Sequence, residues 1–478
     1  LFADESEGGA PSEGGAPSDG GAAGSASVSG SGGESGSESP GEAGQGGNSD
    51  QPPSTCFPLE VDDASALFVS TEGEDSASCG SRSFPCRSVQ RAIDRAALGS
   101  EVDHVYVATG TYAESLELRA GITVEGGVSV FGSTGAFEWT LACSHEDRVV
   151  IAGKKGTEQT VLAEDLSGEA RLSKLTLRTP EVAAAASTFG VKALGASTKL
   201  VLTDVEVLPG NGGDGSDGAS GDAGEPGATI CDAGDAASGV DGDGAAGALA
   251  GEFDAELGFV PVDGEDGEPG APGSNGLEAA APSAENGSCV ACYTCTNLAL
   301  CVQGEATPSC GQPGASGCGG DGGGAGERGL GGGSSVAVFA VDSLVEVRGG
   351  ALVSGDGGKG GKGGPGGEPG PGGEGESGAA GPVCRVAPCD LLLCSNTGGE
   401  GQGPGTSGTQ GGRGGNGGFG SGGSGGHSFA IVELGVAQVK LFQSPRVDHG
   451  QPGRGGCPAG EPSDSPGCGA DGLSGERY

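Results

Sequence analysis

The chain of 478 residues contains no methionine, one tryptophan, four tyrosines and four histidines. It is also short of positive charge: 23 basic residues face 65 acidic ones, for a formal net charge of −42. Each shortage argues against a class of function. Phosphate backbones are gripped by clustered Lys and Arg, so no nucleic-acid partner is expected. Trp139 and the four tyrosines offer few platforms for stacking sugars. His104, His145, His427 and His449 are scattered along the chain, and no Ser–His–Asp arrangement can be assembled around them. No apolar run approaches the ~20 residues of a membrane-spanning helix, so no transmembrane segment is expected. With no methionine anywhere and Leu1 first, the native start is expected upstream, lost with an export signal or by truncation.

What the chain has in abundance is glycine, 108 residues, with 27 prolines and 16 cysteines. Glycine buries no side chain and costs the most backbone entropy on ordering, so only part of this length can build a conventional core. The acidic surface suits a soluble or a cation-binding exterior. Sixteen cysteines against four histidines point to disulfides rather than metal sites, and so to an extracellular or outer cell-surface location.

Residues 1–55 read as a disordered acidic tether, with near-repeats such as EGGAPSEGGAPSDGGA and nothing to bury. Such tethers often follow the lipidated cysteine of bacterial surface lipoproteins, which places an expected lipid anchor upstream of residue 1. Folded structure is expected from Cys56. ALFVS (Ala66 to Ser70) reads as a strand. Val89, Ala92, Ile93 and Ala96 recur at helical spacing, with Gly99 as the stop. HVYVATGTYAESLELRAGITVEGGVSV and DRVVIAGKK are short alternating strands parted by glycine turns.

Four later segments share one pattern of polar turn, alternating strand, kink and second short strand: Leu166 to Pro180, Leu194 to Gly215, Val341 to Gly360, and Leu434 to Gly456. A unit this short cannot bury its own apolar face, so such units must stack. Glycine segments leave this repeat at one place, after Leu208, after Ser354 and after His449. They are expected to emerge side by side from one corner of a solenoid.

Inside these segments glycine recurs every third residue: Gly215, Gly218, Gly221, Gly224 and Gly227; Gly264, Gly267, Gly270, Gly273 and Gly276; Gly357, Gly360, Gly363 and Gly366, passing into Gly372, Gly375, Gly378 and Gly381. Three residues is the period of polyproline II. The runs are too short, and lie too much within one chain, for a collagen triple helix. Two readings stay open: polyproline-II helices packed through their glycine edges, with backbone groups paired between neighbours, or plain disorder.

Run together, LFVS, SFPCRSVQRAIDRAA, HVYVATGTYAESLEL and GITVEGGVSVFG resemble the N-terminal part of bacterial surface proteins with the pectin-lyase-like, right-handed parallel β-helix fold. The resemblance covers Ala66 to Gly153. It implies an all-β solenoid whose open end is capped by the helix; with the repeats, about seven coils are expected. The glycine segments resemble the glycine-rich sandwiches of some bacterial surface proteins. The expected organisation is a tether (1–55), a cap with first coils (56–207), a Gly/Cys-rich insertion (208–333), a coil (334–354), a Gly-rich insertion (355–426), a last coil (427–449) and a Gly/Pro/Cys tail (450–478).

The cysteines fall into four groups: Cys56, Cys79, Cys86 and Cys143; Cys231, Cys289, Cys292, Cys295, Cys301, Cys310 and Cys318; Cys384, Cys389 and Cys394; Cys457 and Cys468. If all are paired and the even groups close on themselves, an odd number of bridges joins the two insertions. CVACYTC with Cys301 has zinc-like spacing, but the export context and the many nearby cysteines favour disulfides. GGDGSDGAS (Gly212 to Ser220) matches a calcium-binding nonapeptide except that Ala219 stands where a large apolar residue belongs, leaving Asp214 and Asp217 as candidate ligands. Calcium is the one cofactor this admits. Asp241 and Asp243, or Asp263 and Asp266, are looser candidates of the same kind.

Pectin-lyase-like enzymes place carboxylates and a Lys or Arg on the solenoid face. Lys174, Arg178, Asp204 and Glu206 are the residues that could play those parts, with Asp204 and Glu206 expected on one face of one strand. Their counterparts in later coils are Gly349 or Gly350, Ala351, and Gln443 or Ser444, so no carboxylate cluster builds up. The expectation is a non-catalytic structural or adhesive solenoid presenting acidic glycine-rich loops to a surface polysaccharide or another surface protein. The alternatives are a polysaccharide lyase or hydrolase and a calcium-binding surface module.

Overall fold

The computed structural model describes residues 57–99, 101–132, 137–142, 148–283, 289–292, 307–381 and 405–478. The tether, Cys56, Cys143, Cys295, Cys301, Cys384, Cys389 and Cys394 lie outside the described residues. The fold is all-β, built mainly from three parallel sheets. The first sheet runs Ala66–Val69, His104–Ala108, Thr123–Phe131, Glu169–Ser173, Lys199–Thr203, Leu344–Arg348 and Gln438–Phe442, with Glu138–Leu141 added antiparallel to the third of these. The second runs Gly110–Tyr112, Val149–Ala152, Leu175–Arg178, Glu206–Leu208, Ala351–Val353 and Arg446–Asp448. The third runs Leu116–Glu117, Gln159–Glu164, Thr188–Leu194, Ser335–Val341, Ser428–Leu434 and Ser474–Arg477. From Gln159 onward the chain visits the third, first and second sheets in turn, so each circuit lays one strand on each sheet.

Register explains why the circuits stack. In the first sheet Val105, Val124, Leu172, Leu202, Val347 and Leu441 stand one above another. The first five are at most 1% exposed, while Leu441, on the last circuit, is 38% exposed. Each circuit therefore buries the apolar row of the one before it, at about 1.5–3 kcal/mol per Val or Leu.

The corners are sharp because each holds at least one residue in the left-handed region. Between the third and first sheets these are Asp165, Gly195, Asp342 and Gly435 (φ 46°, 94°, 54° and 67°). Between the first and second they are Lys174, Asp204, Gly349 and Gln443 (φ 53°, 50°, 69° and 59°). Their N–H groups bridge to the next circuit: Asp165 to Leu194 O, Lys174 to Thr203 O, Asp204 to Arg348 O, Gly349 to Phe442 O. This corrects one expectation. Asp204 is a corner residue between Lys199–Thr203 and Glu206–Leu208, not a strand neighbour of Glu206.

The single described α-helix, Val89–Ala96, presents Val89, Ala92, Ile93 and Ala96 to the core, each at most 1% exposed. Its first N–H groups, which no helix satisfies internally, are taken by distant carboxylates. Glu114 accepts from Val89 (2.7 Å) and Gln90 (2.9 Å), and Asp75 from Arg87 (2.8 Å) and Ser88 (3.0 Å).

The glycine segments leave the circuits between the second and third sheets, after Leu208, Val353 and Asp448, and hydrogen-bond to one another in steps of three residues. The N–H groups of Gly212, Gly215, Gly218, Gly221, Gly224 and Gly227 donate to the carbonyls of Asp356, Lys359, Lys362, Pro365, Glu368 and Pro371, in parallel. Gly358, Gly361, Gly364, Gly367, Gly370 and Gly373 donate antiparallel to Gly333, Leu330, Glu327, Gly324, Asp321 and Cys318. Segments 212–228, 234–248, 262–276, 312–333, 355–378, 405–426, 450–456 and 467–472 alternate in direction along the chain. Segment 405–426 lies at the centre, hydrogen-bonded to six of the others. That is why glycine fills so much of it: larger side chains are confined to the open side, where Gln410, Arg413 and Asn416 are exposed, and the stretch from Gly420 to Gly426, buried throughout, is glycine and serine alone.

A hairpin, Glu252–Asp254 and Gly258–Val260, returns to the third sheet. Phe253 and Phe259 pack with Phe189, Val336, Phe339 and Phe429 of the third sheet. This cover is why all seven residues of Ser335–Val341 are buried, on both faces of the strand.

Candidate functional site

Two adjoining cavities open on the first sheet. One, about 570 Å3, is lined by residues of four successive strands and the turns before them, among them Asp103, His104, Thr123, Glu125, Glu169, Arg171, Ser173 and Thr203. The other, about 470 Å3, shares Glu125 and adds Phe57, Leu59, Tyr106 and Leu141. Alternation places these side chains on the face opposite Val105, Val124, Leu172 and Leu202. Along strand His104–Ala108 the rings of His104 and Tyr106 lie 5.8 Å apart and nearly parallel, and Phe68 stacks on Tyr106 at 5.9 Å. Burial, then the charges of Glu125 and Asp103, push the Tyr106 phenol above its usual range.

The charges beside the groove form a ladder across circuits. Lys174 binds Glu125 at 2.9 Å. Glu169 pairs with Arg171 and with Lys199 at 2.7 Å; Lys199 reaches Glu346 at 3.6 Å, and Glu346 binds Arg348 at 2.6 Å. The Lys199 hydrogen bond holds Glu169 below the usual carboxylate range, and the Arg348 hydrogen bond does the same for Glu346. Lys174 and Arg171 are thus already engaged. Glu206, on the neighbouring sheet, pairs with Arg148. Of the four residues singled out from the sequence, only Lys174 reaches the groove, through Glu125; Arg178, Asp204 and Glu206 do not line it. The ladder residues Glu169, Lys199 and Glu346 were missed. Their signal was present as charges at matching places in successive repeats, but only the register shows which ones meet.

Asp214 and Asp217 lie on the exposed side of the glycine bundle. Asp214 Oδ1 accepts the Lys359 N–H at 2.8 Å, and Asp217 Oδ1 the Lys362 N–H at 2.7 Å. Neutral Asn211 makes the same bond to Asp356 N–H at 2.9 Å. Asp241, Asp263 and Asp266 likewise accept backbone N–H groups, from Asn416, Gly331 and Arg328. Among the described residues, the one close group of three metal-ligand side chains is Asp75, Cys79 and Cys86, whose cysteines are bonded to each other.

Two further bridges are Cys231–Cys318 and Cys457–Cys468, and Cys310 is also disulfide-bonded. In the backbone register Cys289 stands opposite Cys310, on the short antiparallel pair Cys289–Cys292 and Thr307–Cys310.

No helix among the described residues is long and apolar enough to cross a membrane. No protein-family model matches the chain, and comparison with curated proteins and with solved structures likewise gives no match.

Proposed function

We propose that this chain is a non-catalytic structural or adhesive protein of the extracellular space or outer cell surface. In this reading it is a right-handed, pectin-lyase-like β-solenoid capped by helix Val89–Ala96, and its glycine segments are a bundle of polyproline-II helices. Residues 1–55 act as the tether to a lipid-anchored start. The observation that carries the reading is the uninterrupted backbone ladder from Gly212–Asp356 to Gly227–Pro371. It spends the glycines on rigidity, and it leaves a wide polar face for contact with a surface polysaccharide or another surface protein.

Two further observations support it. The basic groups beside the groove are closed into ion pairs, which favours a scaffold over a lyase or hydrolase. The disulfides fit an oxidising compartment. A calcium-binding role for Asp214 and Asp217 remains a separate proposal. It competes with the backbone bonds these residues already make, and calcium binding would appear as a calcium-dependent rise in melting temperature.

The test is depolymerisation. Oxidised protein is incubated with neutral and acidic polysaccharides, with and without calcium, and new chain ends are assayed. No cleavage with retained binding supports a structural or adhesive protein; cleavage overturns it.

A further inference from the structure

We infer that the seam between segments 355–378 and 405–426 takes up an extended chain from another protein, one with glycine at every third residue. This rests on the polyproline-II reading above and gives the adhesive protein a partner class. The seam is already used once, by segment 450–456. Gly357 and Gly360 donate to the carbonyls of Gln451 (2.9 Å) and Arg454 (2.8 Å), while Gly453 and Gly456 donate to those of Gly426 and Gly423, both at 2.9 Å. In each triplet, then, segment 450–456 accepts one bond from one wall of the seam and donates one to the other.

Beyond Gly456 the chain turns aside. Ala459 N–H donates to the Gly363 carbonyl at 3.1 Å, and the Cys457–Cys468 bridge closes the turn. The walls continue with the same three-residue step. Among the described residues, the N–H groups of Gly363, Gly366, Gly372 and Gly375 find no acceptor, and the carbonyls of Gly420, Gly417, Gly414 and Gly411 accept no hydrogen bond. Pro369, which has no N–H, skips one step. Gly363, Gly372, Gly414 and Gly420 are buried, where an unpaired backbone group is costly. One side chain spans the seam: Gln410 Nε2 donates to the Gly372 carbonyl at 3.0 Å.

Donors on one wall and acceptors on the other call for a chain that supplies both, over about 37 Å from Gly363 to Gly375 at ~3.1 Å per residue. Main-chain bonds of this kind give affinity as they do when a strand joins a sheet edge. Glycine is required at every third place, because a Cβ on Gly453 or Gly456 would meet the Gly358 or Gly361 carbonyl at 1.8 Å. Proline suits the place before it, as at Pro452, and stiffens the chain in advance. A second copy is a poor occupant: its triplet glycines in the described segments serve its own bundle, and two chains at −42 repel.

The test uses the intact, oxidised chain and a synthetic peptide of five Gly-Gln-Pro triplets, the sequence of residues 450–452, uncharged so that the acidic surface does not govern binding. Calorimetric titration should show saturable binding, about tenfold or more weaker for the Ala-Gln-Pro counterpart. Amide hydrogen exchange should slow at Gly363, Gly366, Gly372 and Gly375 when the peptide is bound. Gln410→Trp, which places an indole in the seam, should weaken binding about tenfold; Gln410 is exposed, so the melting temperature should stay near that of the parent. The inference is overturned if the peptide does not bind, if the alanine peptide binds equally well, or if neither exchange nor Gln410→Trp marks the seam. It is also overturned if the chain dimerises by itself and dimerisation protects these amides, which would make a second copy the occupant. Exchange in the free protein separates the two readings. Slow amides from Gly212 to Gly227 with no peptide bound at the seam overturn the docking site and leave the bundle standing; fast ones overturn both.

Discussion

The N–H of Gly420 donates to the carbonyl of Gly364 at 2.9 Å, and this approach brings the Gly420 carbonyl so close to Gly363 that a Cβ there has no room. The obstructing atom is backbone, held by its own ladder, and cannot swing aside. Gly363→Ala should therefore destabilise by about 2 kcal/mol or more, as overpacking does. Gly99→Ala, whose new methyl would meet nothing nearer than 3.9 Å, should stay within about 0.5 kcal/mol of the parent. Thermal melts of the two variants check this; equal effects would deny that glycine is needed for close packing.

His427 sets an acid limit. It is 1% exposed, in ring contact with Phe253, Phe259, Phe429 and Tyr478. Its Nδ1 accepts the Leu473 N–H at 3.1 Å, so the neutral ring carries its proton on Nε2. Burial pushes its pKa down to about 4, against a smaller opposing pull from the Gly251 backbone. The folded pKa lies below the unfolded value of 6.5, so the unfolded chain binds the proton more readily. Stability is then full above about pH 6.5 and is lost as pH falls toward 4, on the order of 3 kcal/mol in all. Glu169 and Glu346, held below 4.5 by their basic partners, withdraw support only at lower pH. In His427→Asn, the fall in melting temperature between pH 6.5 and 4.5 should be abolished while the loss below 4.5 persists. An unchanged slope in the upper window would acquit His427.

Removing the Cys231–Cys318 bridge should cost more than removing Cys457–Cys468, because it spans 87 residues rather than 11. Chain-entropy estimates give about 4–5 against about 3 kcal/mol. Paired serine variants, compared by thermal unfolding, test the order. Non-reducing peptide mapping should also find at least one bridge between Cys384, Cys389 or Cys394 and the first insertion. With Cys231 and Cys318 bonded to each other, each insertion is left with an odd number of cysteines.

Glu114→Ala should lower stability by about 1 kcal/mol, the usual scale for a lost helix cap, since Val89 and Gln90 both lose their acceptor. Glu114→Gln keeps one acceptor oxygen and should recover part of it. Burial raises the Glu114 pKa, against the opposing pull of the Gln90 and Val89 N–H groups. The charge is therefore a net cost at neutral pH, and the parent should lose stability relative to Glu114→Gln as pH rises through the carboxylate range. Melting curves at pH 4 and 7 separate the two effects.

Much of the parallel-sheet structure is local enough to read from the sequence. Val89, Ala92, Ile93 and Ala96 mark the helix by spacing alone, and alternation with short turns marks the strands. The glycine triplets carry their own period. All of these follow from backbone geometry, which repeats along the chain and imprints its period on the sequence.

What meets across the sheets is a different matter. The ladder from Glu169 through Lys199 to Glu346 joins residues far apart in sequence, and one residue of slip would send each to the opposite face. Asp204 looks like a strand residue by spacing, yet the left-handed corner removes it from the strand. Nothing local says that the segment carrying Phe253 and Phe259 turns back as a hairpin and covers the third sheet. Composition and period therefore determined that stacked strands and three-residue glycine repeats would be built. Only the tertiary structure decided which side chains share the groove and which segment lies at the centre of the bundle, because register and packing depend on distances between residues that no local pattern records.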